Sequence, residues 1–307
     1  MNKKNAGWLM FAIITLHVAF TLIALSIPGF TKNLSGALNL LLGQLLMLVP
    51  GVICLIIVYL KDKEKISDII GLKKIKTGTV FLMIVYGLLC IPITLFFNLL
   101  STLFTTNVIM ENTDKIFAYS PAAVILCVGI LGPISEELVC RGLIFRGLKK
   151  DMAPIIAMIL SGITFGIFHM NLNQFIYAAV LGIFLALAVY ATGSILSSII
   201  IHMVLNTDQV IKLLVVNSIM PEMYSSNPLD EISTSQYMMI LIVYMFIAGV
   251  CGALVVGVSI WAAHHEGRLD ILKNIFKGNK EKVITLPYAI SAILGIAIII
   301  ITSLGLI

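Results

Sequence analysis

The chain has 307 residues, of which 60% are hydrophobic and 11% charged, with a mean hydropathy of +1.08 and a formal net charge of +5. That balance lies far outside the range of water-soluble globular domains and excludes one. The positive charge follows from how cations distribute around membrane helices, so no nucleic-acid partner is implied.

Apolar runs long enough to cross a hydrocarbon core of about 30 Å are predicted over 7–29, 36–60, 78–100, 119–148, 153–170, 173–191, 194–216, 237–263 and 286–306. The expected fold class is therefore all-α, a polytopic membrane bundle of about nine transmembrane helices with an active site inside it. Residues 1–117 supply N-terminal helices, 118–216 a core and 217–307 C-terminal helices, all in one folding unit. Only Thr192-Gly193 separates the sixth run from the seventh. The first run follows Lys3 and Lys4 as a secretory signal does, but its length of about 20 apolar residues reads as an uncleaved anchor.

Cations accumulate in cytoplasmic loops, and nine crossings with the N-terminus in the cytoplasm segregate them. Lys3 and Lys4, the six lysines of 61–76, the group Arg141, Arg146, Lys149 and Lys150, and the five cations of 268–282 fall inside. Lys32, Lys115 and Lys212 stay outside, beside Glu111, Asp114, Glu222, Asp230 and Glu231. The chain is thus expected in the lipid bilayer with its N-terminus in the cytoplasm, and its lysine-, methionine- and isoleucine-rich style points to a bacterial plasma membrane. Two inner segments, 61–76 with Ile66, Ile69, Ile70 and Leu72, and 264–284 with Leu269, Leu272, Ile275 and Phe276, suit short amphipathic helices on an anionic leaflet, or else plain topogenic loops. Histidines 264 and 265 are expected in solvent there. Cys54, Cys90, Cys127, Cys140 and Cys251 show no paired spacing and read as packing residues.

Chemistry concentrates in three places. Glu136 and Glu137 adjoin at membrane depth, where an ionisable group costs roughly 2.5 to 3.5 kcal/mol and persists in a protein interior or a wet cavity. Residues four apart share a helix face, so Glu137 lies beside Arg141 while Glu136 sits about 100° away, without a partner on its own helix and free to act as a base. Pro133 removes the backbone bond to Gly129 and is expected to kink the helix. Phe165 and His169 form a second pair four apart, His202 and Asn206 a third. Measured from the inner helix ends, Glu136, His169, His202 and Asn206 lie roughly 18, 24, 12 and 18 Å deep, close enough to surround one water. Asp208 falls off the His202 face and reaches Lys212 instead.

Glu136-Glu137-x-x-x-Arg141, Phe165-x-x-x-His169 and His202-x-x-x-Asn206, in that order on successive helices, resemble the signature of the type II CAAX prenyl endopeptidase and bacteriocin-immunity family of intramembrane proteases. The stretches Gln174-Phe-Ile-Tyr-Ala and Ala191-Thr-Gly-Ser-Ile-Leu look like its bacterial members, and the resemblance covers about 118–216. It implies a four-helix catalytic core and an endopeptidase acting on a membrane-associated peptide or protein. Glu136 is then the base that activates water, His169 assists, and His202 with Asn206 positions or stabilises the oxyanion. Glu137, Arg141 and Phe165 support them. Cofactor use stays open between no metal and one divalent ion such as zinc held by Glu136, His169 and His202. The bacterial style argues against a prenylated substrate. Two other readings of the same residues are a non-catalytic immunity or scaffold protein and, less favoured because no inverted halves are visible, a transporter.

Overall fold

The computed structural model describes residues 2–27, 36–107, 116–117, 119–219, 233–278 and 284–304. Lys32, Glu111, Asp114, Lys115, Glu222, Asp230, Glu231, Lys280 and Lys282, which enter the charge reading, lie outside the described residues. Each apolar run is a helix: α1 (Lys3–Ser26), α2 (Gly36–Asp62), α4 (Thr77–Ser101), α5 (Pro121–Lys149), α6 (Pro154–Phe168), α7 (Leu172–Thr192), α8 (Ile195–Ile219), α9 (Thr234–His265) and α11 (Leu286–Ser303). Two short helices, α3 (Ile66–Ile70) and α10 (Leu269–Leu272), lie in the basic loops. Among the described residues seven helices are long and apolar enough to cross a membrane. The chain is an integral membrane helical bundle.

Hydrogen bonds between chain segments define its two ends. At one end the Lys3 amide donates to Asp151 (2.8 Å), Arg146 donates to the Ile69 and Asp68 carbonyls (3.0 and 2.8 Å), the Lys73 amide to Ser194 Oγ (3.2 Å) and Arg268 to the Ala191 carbonyl (3.2 Å). All the described basic loops meet there. At the other end Asn173 donates to Asn98 and Ser101 (2.8 and 2.7 Å), Tyr237 to the Leu99 carbonyl (2.6 Å) and Thr302 to the Met170 carbonyl (3.0 Å). Successive long helices therefore run in alternating directions, as the cation segregation requires.

The basic loops are held more firmly than their composition implies. Ile69 and Ile70 of α3 turn into the core, because Arg146 grips the carbonyls at the end of that helix. His265, expected in solvent, pairs with Thr79 Oγ1 at 2.9 Å. All five cysteines are free thiols. The break between α7 and α8 falls at Gly193, whose φ of 80° suits a residue without a Cβ at a helix C-terminus.

The central contact is the hairpin of α6 and α7. Gly162 and Gly166, four apart, face α7 so closely that a Cβ on Gly162 would stand 2.6 Å from the Ala179 carbonyl oxygen, and one on Gly166 2.7 Å from that of Phe175. Between membrane helices such backbone approach supplies the packing that hydrophobicity cannot, since lipid is as apolar as leucine. With 15 residues, α6 rises only about 22 Å, less than a hydrocarbon core of about 30 Å. The chain thus reverses within the apolar depth. Met170 takes a φ of 55° at that turn, and Asn171 caps α7 by accepting from the Gln174 amide at 2.8 Å while donating to the His169 carbonyl at 2.8 Å.

Gly162→Leu is expected to lower the melting temperature in detergent, at a cost on the order of 1 to 3 kcal/mol for overpacking. Gly249→Leu, where a Cβ meets nothing within 4 Å, serves as the control and should melt no lower than the parent, leucine being the better helix former.

Candidate active site

The two glutamates stand on Gly132–Glu137, a short α-helical stretch of α5 between π-helical windings over Ile125–Leu131 and Leu138–Phe145. At Pro133, where a kink is expected, the winding changes from π to α, and α5 is helical from Pro121 to Lys149. Two carbonyls next to the proline find their donors on α8. Pro133 has no N–H to give either the α-type acceptor, Gly129, or the π-type acceptor, Val128. Asn206 Nδ2 donates to the Val128 carbonyl at 3.1 Å and Thr207 Oγ1 to the Gly129 carbonyl at 3.3 Å. Neighbouring side chains commonly replace lost backbone bonds at membrane depth, where water cannot.

The i, i+4 reading of Glu137 holds: Arg141 Nη1 lies 2.8 Å from Glu137 Oε1, both side chains fully buried. The guanidinium also donates through Nη2 to the Gly182 carbonyl at 3.1 Å and stands 4.5 Å over the centre of the Phe165 ring. A second partner for Glu137 was not legible in the sequence. His202 Nδ1 lies 3.0 Å from the same Oε1, while its Nε2 lies 3.6 Å from Glu136 Oε2. The imidazole thus stands between the two carboxylates, which Glu136 and Glu137 present from adjacent positions on one helix.

Exposure separates those carboxylates. Glu136 keeps 16% of its side chain accessible against 0% for Glu137, and it lines two cavities of about 250 and 190 Å³. The larger brings together Glu136, Phe165, His169, His202 and Asn206, so four side chains predicted to act together do share one space, from α5, the end of α6 and α8. His169 Nδ1 lies 2.9 Å from the Phe165 carbonyl. A carbonyl only accepts, so Nδ1 carries the proton and Nε2 is left with its lone pair in the neutral ring. Phe165 meets both rings edge-on, at 5.0 Å from His169 and 5.5 Å from His202. It is the floor on which both imidazoles and the guanidinium rest.

Sequence reasoning assigned no role to Gln44, Thr94, Gln174, Tyr177 and Gln209, which line the same cavity. Gln44 is also tied to α5, accepting from Ser135 Oγ at 2.7 Å. A carboxamide inside the apolar run of α2 was the available signal. Asp208 and Lys212 pair at 2.7 Å as expected. Among the described residues no three His, Cys, Asp or Glu side chains are grouped to hold a metal ion. Nδ1 of His169 is engaged by the Phe165 carbonyl and Nδ1 of His202 by Glu137, partners of the kind that also orient a ligating histidine.

Residues 118–207 match the family described as type II CAAX prenyl endopeptidase Rce1-like. Among curated proteins the chain is similar to the Bacillus subtilis (strain 168) protein titled "Putative membrane peptidase YdiL", with 31% identity over 103 residues, 33% of this chain and 42% of that one. The chain thus spans about two fifths of the length of that relative. No solved structure matches it.

Removing one partner of a buried pair strands the other, at roughly 3 to 5 kcal/mol. Arg141→Ala and Glu137→Gln are accordingly expected to melt well below the parent in detergent, whereas Glu136→Gln, at the cavity wall, should melt close to it. Equal melting of all three would show that the Glu137–Arg141 pair carries no special share of stability.

Proposed function

We propose that this chain, whose 118–207 segment is of the Rce1-like CAAX prenyl endopeptidase family, is an intramembrane endopeptidase that hydrolyses a peptide bond in a membrane-associated peptide or protein. The observation that carries this reading is the unequal environment of two adjacent carboxylates. One is sequestered with an arginine, and the other faces a cavity shared with two histidines and an asparagine.

In this mechanism Glu136 takes a proton from a cavity water as the oxygen attacks the substrate carbonyl, forming the new C–O bond and pushing the carbonyl electrons onto oxygen. The base stands at the one carboxylate in the pair that solvent and substrate reach. Collapse of the tetrahedral intermediate breaks the C–N bond, and the proton held by Glu136 passes to the leaving amine. His169, with Nε2 free and its ring fixed by the Phe165 carbonyl, helps orient water and relay the proton. Asn206 spends one amide N–H on Val128, and its second N–H is the donor for the developing oxyanion, where a preorganised donor is worth about 2.7 to 4 kcal/mol. His202 holds Glu136 in place and completes the hydrogen-bonding wall. Its other nitrogen is anchored by Glu137, which Arg141 anchors in turn. Glu137, Arg141 and Phe165 are positioning residues.

Chemistry by Glu136 and the histidines needs no metal in this reading. Glu136→Gln, which keeps shape and removes the base, should abolish processing. Comparative proteomics of membranes from cells carrying the parent chain or Glu136→Gln is the test, with the expectation that at least one membrane-derived peptide disappears and its precursor accumulates. An unchanged peptide profile would favour a scaffold role. The same processing, followed in isolated membranes, should persist in a strong chelator, and the purified protein should carry less than about one zinc per chain. Loss in chelator that stoichiometric zinc restores would assign the histidines to a metal.

A further inference from the structure

The cavity around Glu136 does not end at the catalytic side chains. Through Thr94, Val128, Gln174, Tyr177, Asn206 and Gln209, which belong to both walls, it continues into a second chamber of about 470 Å³. The described residues of that chamber come from one half of the bundle. It is lined by the last turns of α4 (Ile91, Leu95, Asn98), the first turns of α5 (Val124, Val128), the first turns of α7 and the last turns of α8 (Val210, Lys212, Leu213), with Asn107 and Ile116 beyond the helix ends. These are the helix ends opposite the basic loops, the same end at which Asn173 joins Asn98 and Ser101. No residue of the basic loops reaches it.

The position of the catalytic groups agrees. His169 sits where the short helix α6 stops, at the turn toward that same end. By the rule that cations collect on the cytoplasmic side, the chamber lies in the outer half of the membrane. Its walls combine aliphatic side chains with spaced carboxamides, Asn98, Gln174, Gln209 and Asn206, and with the Asp208–Lys212 pair, whose charges neutralise each other at 2.7 Å; a carboxamide both donates and accepts, as a peptide main chain requires. Its volume falls within the range of about 300 to 1,000 Å³ of cavities that enclose small ligands, enough for a few residues of an extended chain.

Resting on the peptidase reading, we infer that the substrate is an apolar peptide segment that enters from the extracytoplasmic side and lies in this chamber on its way to Glu136. Ile91, Leu95, Val124 and Leu213 receive its side chains, and Asn98, Gln174 and Gln209 bond its backbone. The substrate class is thus an exported or outward-facing membrane peptide, and a cytoplasmic protein tail is excluded by the side of entry.

Accessibility tests this without using activity. Leu95→Cys and Leu213→Cys are placed in the Glu136→Gln chain and treated with a membrane-impermeant maleimide in right-side-out and inside-out vesicles, with Lys74→Cys, at an exposed position of the basic end, as the opposite marker and the unsubstituted chain as the background. Labelling of both chamber cysteines from the right-side-out face, with Lys74→Cys labelled from the other, is expected. Labelling of the chamber only in inside-out vesicles overturns the side of entry, whatever becomes of the peptidase reading. A leucine-alanine decapeptide at about ten times its Kd should slow chamber labelling about tenfold by mass action, and a glycine-serine decapeptide should not. Equal labelling with both peptides overturns the chamber as an apolar peptide site, while loss of processing in Glu136→Gln would still stand on its own.

Discussion

A guanidinium buried at the heart of a membrane bundle is the constraint from which the rest of this architecture follows. Arg141 cannot lose its charge, and lipid offers it no solvation. Every group around it answers that demand. Glu137 supplies the counter-charge from one turn away, Gly182 a carbonyl from α7, and Phe165 the face of its ring from α6. The absence of a side chain at Gly182 is part of the fit, since a Cβ there would stand 3.0 Å from Arg141 Nη2 and 2.7 Å from the Gly162 Cα. One cation thus sets the crossing of α5, α6 and α7. The fourth helix joins through His202, which shares Glu137 Oε1 with the arginine.

This arrangement explains why two adjacent glutamates are not redundant. A carboxylate with two hydrogen-bonding partners and no exposure is fixed in place, and it is useful as the anchor of an imidazole. Its neighbour, one residue on around the helix, keeps contact with water. The division of labour is therefore a consequence of helical geometry acting on a doublet: burial of one member against Arg141 turns the other toward the cavity. Phe165 takes part in both halves, with the guanidinium over its face and the two imidazoles packed perpendicular to it. A single substitution at that ring reaches the anchor and the cavity together.

The winding of α5 is the second structural device. A proline in a long apolar helix frees carbonyl oxygens that hydrocarbon cannot satisfy. Here α8 satisfies them with Asn206 and Thr207, so the residue expected to face the reacting carbonyl also ties α8 to α5 at Val128. Val128 and Asn206 line both the cavity around Glu136 and the chamber into which it continues.

The apolar periodicity, the alternation of basic and acidic segments and the three spacings of four residues were enough to read an all-helical membrane bundle, the Glu137–Arg141 pair, the Asp208–Lys212 pair and the grouping of Glu136, His169, His202 and Asn206. These follow from geometry inside one helix, where 3.6 residues per turn fixes which side chains meet, and from solvent preference, which needs no partner to be known. Other features depend on how far one helix slides along another and how closely backbones approach. His202 between both carboxylates, Asn206 spent partly on Val128, Gln44 against Ser135, the burial of Ile69 and Ile70 and the chamber on one side of Glu136 are of this kind. Stagger and close approach arise from glycine contacts such as Gly162 on Ala179 and from carbonyls in search of donors, and only the packed bundle decides them, because each needs atoms from segments tens of residues apart to occupy the same few ångströms.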